Sequence, residues 1–379
     1  MATPAKKQSF LGGAAILAAA VVIVKLIGAA YKIPLSNILG SAGQTYFDTA
    51  YQIYNFLLTF STAGLPLAIS RMTSQAHAKG LENEKRRIFS TAIWLFFGLG
   101  LVCSVLMFFR ADALARFLNN SLAATAVQAL APAVFCVCLL ACMRGYTQGQ
   151  GNMTPTAVSQ VLEALLKLGI GLPLAWYVLH IGKTAELSAA GAIVGVTAGT
   201  AVSMLFLCAY LVTHRNRKES LDVPSSSGQI IKQILLIGLP AGLQSTVFSL
   251  SNVVIQSAIN SFGSTVVAGS SASSNLEGFV YTAMNAFAQA AVTFTSQNMG
   301  ARKYHNLDRV MRNCLLCAVV TGILLGGGAA LAGRQLLHFY SSDEAVIAAG
   351  YERLWIICGT YLLCGIMDTL ASSLRGLGY

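Results

Sequence analysis

The stretch Met143-Arg144-Gly145-Tyr146-Thr147-Gln148-Gly149-Gln150-Gly151-Asn152-Met153-Thr154-Pro155-Thr156-Ala157-Val158-Ser159-Gln160-Val161-Leu162-Glu163-Ala164-Leu165-Leu166-Lys167 decides the fold. It leaves one apolar run, turns through Gly149, Gly151 and Asn152, and enters a second apolar run. Pro155 stands near the start of that run, in the first helical turn, where a missing N–H costs nothing. This is a short polar turn between two membrane helices. The last residues, Leu374-Arg375-Gly376-Leu377-Gly378-Tyr379, repeat its opening after another apolar run, so one structural plan is stated twice.

Working outward, 55% of residues are hydrophobic and 10% charged, with a mean hydropathy of +0.64. Soluble domains carry roughly 25% charged residues. The chain is an all-α polytopic membrane protein. Apolar runs of about 20 residues, each long enough to cross the hydrocarbon as a helix, recur ten times. They lie near 10–31, 46–70, 89–109, 122–143, 155–179, 188–213, 234–260, 276–297, 312–333 and 354–374. The first follows Lys6 and Lys7 and carries Ala18-Ala19-Ala20, yet it is longer than the apolar core of a secretion signal and reads as the first helix.

Lysines and arginines orient the chain, because loops on the cytoplasmic side hold their excess. With the N-terminus inside, that side collects most of the 25, among them Lys6, Lys7, Arg71, Lys79, Lys85, Arg86, Arg87, Arg215, Arg217, Lys218, Arg302, Lys303, Arg309 and Arg312. Both ends are therefore expected to be cytoplasmic. The net charge of +11 is accounted for by these loops facing an anionic leaflet, and no nucleic-acid partner is implied. The nine cysteines all fall in the spans. The five histidines are scattered over loops and helix ends, so neither a metal site nor a catalytic constellation is read here.

An internal repeat organises the chain. Thr73-Ser74-Gln75 ends the second span and opens a basic loop, as Thr295-Ser296-Gln297 does after the eighth. Arg144-Gly145 and Arg375-Gly376 follow the fourth and tenth spans. The expected organisation is a six-helix lobe over 1–213, a cytoplasmic linker over 214–233 and a second lobe over 234–379 that holds four of six helices. The natural protein is accordingly expected to carry about two further helices. Two lobes of this kind suit a transporter that rocks about a central site.

Polar residues inside the spans point to that site. The second span carries Asp48, Gln52, Asn55, Thr59 and Thr62, the seventh Ser245, Ser249, Asn252, Gln256 and Asn260, and the eighth Asn285, Gln289 and Thr293. Each set follows helical spacing and lines one face. Such stripes form interhelical hydrogen bonds or line a cavity, and three of them on repeat-related helices favour a cavity. Asp368 in the tenth span is an intramembrane carboxylate whose repeat position in the first lobe is Val137, so the repeat itself does not need it. It is the candidate for proton or sodium coupling. Glu163 and Lys167, four apart, suit mutual neutralisation. Lys25 and Lys32 share a face of the first helix, where snorkelling to an interface suits them. Asp48 and Glu277 are expected near helix starts, favourable against the helix dipole.

These residues carry a family resemblance. Phe10-Leu11-Gly12-Gly13-Ala14-Ala15-Ile16-Leu17, Lys32-Ile33-Pro34-Leu35, Ser61-Thr62-Ala63-Gly64-Leu65-Pro66 and the run from Arg144 to Glu163 resemble the sporulation-protein and polysaccharide flippase branch of the multidrug/oligosaccharidyl-lipid/polysaccharide (MOP) exporter superfamily. Gly238-Leu239-Pro240-Ala241-Gly242-Leu243, Ser296-Gln297-Asn298-Met299-Gly300-Ala301 and the run from Asp368 to Gly376 resemble its multidrug and toxic compound extrusion (MATE) branch. The resemblance implies a two-lobed, six-plus-six exporter, here without the last two helices. It implies a bacterial cytoplasmic membrane, a monomer and no cofactor beyond a coupling proton or sodium ion. The carboxylate of the tenth helix, matched by Asp368, takes part in coupling in the MATE branch. Phe248 stands where that branch often has a glutamate. In the flippase branch, basic cavity residues meet lipid-linked phosphates, and Lys25, Arg144 and Lys167 match that role.

Two transport readings follow. One is ion-coupled export of amphipathic organic cations through Asp368, with the stripes lining the route. The other is flipping of an anionic lipid-linked saccharide by the cationic first lobe. A membrane enzyme would need an acid–base pair or metal cluster near an interface, and the sequence offers none. Antiport is favoured at this level because each first-lobe base has a structural explanation and Asp368 has none.

Overall fold

The computed structural model describes residues 10–62, 64–118, 120–214, 225–260, 262, 264–340 and 343–378. Every regular element among them is helical. In chain order the α-helices are α1 (Phe10–Thr62), α2 (Leu65–Ala78), α3 (Glu82–Phe109), α4 (Ala111–Phe117), α5 (Ala124–Gly149), α6 (Thr154–Leu166), α7 (Leu172–His180), α8 (Ala185–Thr213), α9 (Ser227–Asn260), α10 (Ser264–Gly300), α11 (Leu307–Leu331), α12 (Gly333–His338) and α13 (Glu344–Leu377). Among the described residues, eight stretches are long and apolar enough to cross a membrane. The expected spans at 46–70 and 276–297 are not among these eight, because their polar stripes dilute the apolar content over any membrane-length window.

Local chemistry sets the helix ends. Pro66 and Pro155 occupy the first turns of α2 and α6, where their lost donors would be unpaired anyway. The Asp343 carboxylate accepts the Ala345 N–H at 2.9 Å and caps α13. The first expected span runs on as α1, which turns at Gly40 with φ 63° and ψ −174°, a conformation that glycine adopts without steric cost. The second expected span ends at Thr62, and α2 begins after Gly64. A Cβ on Gly64 would strike the Gly238 carbonyl and lie 2.7 Å from the Gly242 nitrogen. The break therefore exists where backbone meets backbone, a contact that hydropathy does not register.

The chain forms two compact units, one comprising Ile23–Leu243 and the other Met1–Val22 with Gln244–Tyr379. In the first, α5 lies against α2, α3 and α8. Cβ atoms on Gly145 and Gly149 would lie 2.6 Å from the Pro66 and Ser70 carbonyl oxygens respectively, so α2 and α5 run parallel. Gly100 meets Cys138, and the Ser104 hydroxyl donates to the Ala131 carbonyl at 2.8 Å, so α3 runs antiparallel to α5. The core collects Leu35, Ile69, Ile88, Phe96, Leu130 and Ile193, all 0–2% exposed.

The second unit repeats this plan on its own. Contacts between α10 and α13 keep a near-constant sequence separation, 76 residues at Glu277–Arg353, 80 at Ser296–Gly376 and 83 at Ser270–Arg353, which makes the two helices parallel. Gly326 meets Cys358 and Gly322 meets Leu362, so α11 is antiparallel to α13. The repeated Thr-Ser-Gln and Arg-Gly signatures thus mark equivalent helix pairs, α2 with α5 and α10 with α13.

Candidate functional site

The first cluster is built from the stretch that opened the reading. α5 ends at Gly149, and the chain turns with Gly151 at φ 78° and enters α6 at Thr154. This hairpin carries Arg144 back onto α6, where its Nε donates to Ser159 Oγ at 2.9 Å and its Nη2 to Glu163 Oε2 at 2.8 Å. The pair is half-buried, with side-chain exposures of 18% and 26%. The expected Glu163–Lys167 neutralisation is therefore replaced, because Arg144 reaches the carboxylate with a directed, charge-assisted hydrogen bond while its Nε is held by Ser159.

Lys167 takes a different partner. Its Nζ lies 4.7 Å from the centre of the Tyr31 ring and 4.9 Å from that of Tyr51, within the range of cation–π attraction. Among the described residues, no carboxylate lies within ion-pair distance of it. The backbone here is unusual, with residues Lys167–Gly171 wound as a π-helix. The cause is Pro173, which has no N–H for the Gly169 carbonyl and whose ring crowds it, so the preceding turn loosens. Glycines of α8 press on the same segment. A Cβ on Gly195 would overlap Gly171, and one on Gly199 would lie 2.8 Å from the Glu163 carbonyl oxygen.

Aromatic neighbours hold the cage. Tyr31 is 2% exposed, donates its hydroxyl to the Ala192 carbonyl at 3.3 Å, and has its ring centre 6.4 Å from that of Phe47. Phe47 lies 4.7 Å from Tyr51, and Tyr51 5.7 Å from Tyr54. Sequence reasoning did not select Tyr31 and Tyr51. Their signal was available in the aromatic run Phe47, Tyr51, Tyr54, at helical spacing alongside the polar stripe.

The second cluster lies within the other unit. Asp368 on α13 is half-buried and lies beside Tyr281 of α10. Asn285 neighbours the same phenol, and Gln289 Nε2 donates to Asn285 Oδ1 at 3.1 Å. Thr293 returns its hydroxyl to the Gln289 carbonyl at 3.3 Å. The expected stripe of Asn285, Gln289 and Thr293 thus extends upstream through Tyr281 and Glu277, each four residues from the next. Tyr281, on the same face of α10 as this stripe, is a neighbour of Asp368 that the sequence alone does not show.

Glu277 is another correction. It lies thirteen residues inside α10, far from the helix start, and pairs with Arg353, Nε to Oε1 at 2.9 Å and Nη2 to Oε2 at 3.2 Å. Ser273 donates to Glu277 at 2.8 Å, and Ser270 accepts from Arg353. Arg353, one residue before the expected tenth span, lies within α13, which begins at Glu344. Asp48 likewise lies well inside a helix, accepting from Gln44 at 3.0 and 3.1 Å.

The remaining candidates are dispersed. Lys25, Gln52 and Asn55 are exposed on α1, and Asn252 is exposed on α9. The side chains of Thr59, Ser249 and Gln256 lie outside the described residues. The structure therefore gathers Arg144, Glu163 and Lys167 in one cluster and Asp368, Asn285 and Gln289 in another.

The family model described as "Polysaccharide biosynthesis protein" matches residues 10–296, and the MatE model matches residues 240–379. Stage V sporulation protein B of Bacillus subtilis (strain 168) is 27% identical over 338 residues, covering 84% of this chain and 65% of that protein. Lipid II flippase MurJ of the same organism is 25% identical over 213 residues, covering 52% of this chain and 39% of that protein. This chain thus spans less than two thirds of the length of either relative. Among solved structures, an outward-facing multidrug resistance MATE family transporter of the MOP superfamily superposes with a TM-score of 0.85 at 18% identity, covering 100% of this chain and 86% of that one. At that identity the likeness is one of fold, and the fold is the two-lobed exporter architecture.

Proposed function

Since the chain belongs to the polysaccharide biosynthesis protein family and is similar to a lipid II flippase and, in fold, to a MATE family transporter, we propose that it moves an anionic, lipid-linked saccharide precursor across the bacterial cytoplasmic membrane by alternating access. One observation carries this reading: Lys167 is an intramembrane cation whose expected partner, Glu163, is engaged by Arg144, leaving its charge against two ring faces. A cation held without a counter-ion offers a phosphate group a favourable exchange. The polysaccharide family match covers the whole of this cluster, and the name of one relative, lipid II flippase, fits the same class of cargo. Alternating access then requires only that the cargo bind two states with different affinity.

The test uses the full-length gene product in liposomes, with a fluorescent polyprenyl-pyrophosphate saccharide as cargo. Lys167→Met is expected to lower the flipping rate at least about tenfold, the loss of one charge-assisted hydrogen bond, while Lys167→Arg retains most of it. Equal rates in wild type and Lys167→Met would overturn the reading.

A second reading has its own support. The chain of Asp368, Tyr281, Asn285 and Gln289 lies in the region matched by the MatE model and suits a carboxylate that exchanges a proton or sodium ion for an amphipathic organic cation. Gradient-driven dye efflux that disappears in Asp368→Asn would favour it over the first.

A further inference from the structure

The tyrosines around Lys167 form more than a contact. In a straight helix, the 20 residues between positions 31 and 51 span about 30 Å, so both rings reach one nitrogen only because α1 turns at Gly40. The rings are held from outside the lysine. The Tyr31 hydroxyl is anchored to the Ala192 carbonyl on α8, and Tyr51 is packed between Phe47 and Tyr54. Removing the lysine side chain leaves those anchors in place. The geometry is that of ammonium recognition, in which ring faces meet a cation with no carboxylate at ion-pair distance among the described residues.

We propose that the Tyr31–Tyr51 pair is a binding site for primary alkylammonium ions, filled in this structure by a tethered ligand, the ammonium group of Lys167. The site is preorganised and the occupant is delivered by the π-helical turn. Lys32 is the like charge that faces it, and Glu163, one turn earlier, supplies the nearest opposite charge while remaining bonded to Arg144. A cage from which the Lys167 side chain is withdrawn or removed accepts a free cation of the same shape. That the cargo withdraws it rests on the flippase reading, while the cage itself stands on the ring geometry alone.

The test removes the tether and returns the missing fragment. In the purified full-length Lys167→Ala protein, n-propylammonium corresponds to the deleted atoms, and n-propanol is its neutral counterpart. Ligand-observed saturation-transfer NMR is expected to show n-propylammonium binding to Lys167→Ala at least about tenfold more tightly than to wild type, matching a desolvated cation–π contact. The propanol should show no such preference, and Lys167→Ala/Tyr51→Leu should lose the gain. A cooperatively unfolding Lys167→Ala protein that treats ammonium and alcohol alike would overturn the proposal. Should Lys167→Ala fail to fold, Tyr51→Leu alone provides the second measurement. Acylation of Lys167 by an amine-directed reagent, read by mass spectrometry, should rise severalfold, and an unchanged rate would equally overturn it. Neither readout involves transport, so a failure here is distinguishable from a failure of the flipping assay.

Discussion

Arg144 and Arg353 show how similar ion pairs differ in consequence. Arg144 and Glu163 are half-buried, while Glu277 is 7% exposed and bonded twice to Arg353 and once to Ser273. Breaking a buried pair by removing one partner is costly because the survivor stays charged in a poor solvent. Glu277→Gln is therefore expected to destabilise by about 3 kcal/mol, and Glu163→Gln, whose arginine keeps Ser159 and some solvent, by about 1–2 kcal/mol. Thermal unfolding in detergent should rank them in that order, and the reverse ranking would mean that burial is not the governing variable. These pairings were only partly legible in the sequence. Glu163 and Lys167 are four apart and invited a local pair, but Arg144 wins the carboxylate through a hairpin that returns it across the turn at Gly151.

At the scale of elements, the π-helical turn and α8 form one unit of packing. Pro173 loosens the winding, and Gly195 and Gly199 let α8 settle onto the loosened backbone. Small residues permit such close approach of membrane helices. Gly195→Ala places a methyl against Gly171 backbone, which has no flexible side chain to yield. A loss of about 1–3 kcal/mol is expected from the forced displacement, whereas Gly169→Ala, with open space around its Cβ, should avoid that clash. Comparing the two unfolding midpoints checks the assignment of cause. The glycine series and Pro173 were visible in the sequence as packing and bending signals. Their joint product was not, since it depends on which turn of α8 meets which turn of the π segment.

At the scale of the whole molecule, the same helix arrangement recurs in both units. Each unit holds a parallel pair, α2 with α5 or α10 with α13, flanked by an antiparallel helix. The first carries a cation caged by tyrosines and the second a carboxylate beside Tyr281. The proposed orientation, with the basic loops and both ends of the chain on the cytoplasmic side, predicts the labelling of introduced cysteines. In a cysteine-free background and intact cells, a membrane-impermeant thiol reagent should spare cysteines at Lys79 and Lys303 and modify one at Lys183. Labelling with the opposite sidedness would invert the orientation and exchange the faces assigned to the loops.

The sequence by itself determined the class of protein, the approximate places of most helices though not all of their ends, and the recurring signatures, because hydropathy over about 20 residues and turn chemistry are local properties of the chain. It also singled out the charged residues Arg144, Glu163, Lys167 and Asp368, but not the tyrosines beside them. Only the tertiary structure decided their partners: that Arg144 holds Glu163, that Tyr31 and Tyr51 close on Lys167, that Tyr281 meets Asp368, and that Glu277 is paired inside a helix. Each partnership joins residues on different helices or different turns. Side-chain pairing across a membrane bundle is set by helix rotation and close backbone contact, and no window along the chain contains that information.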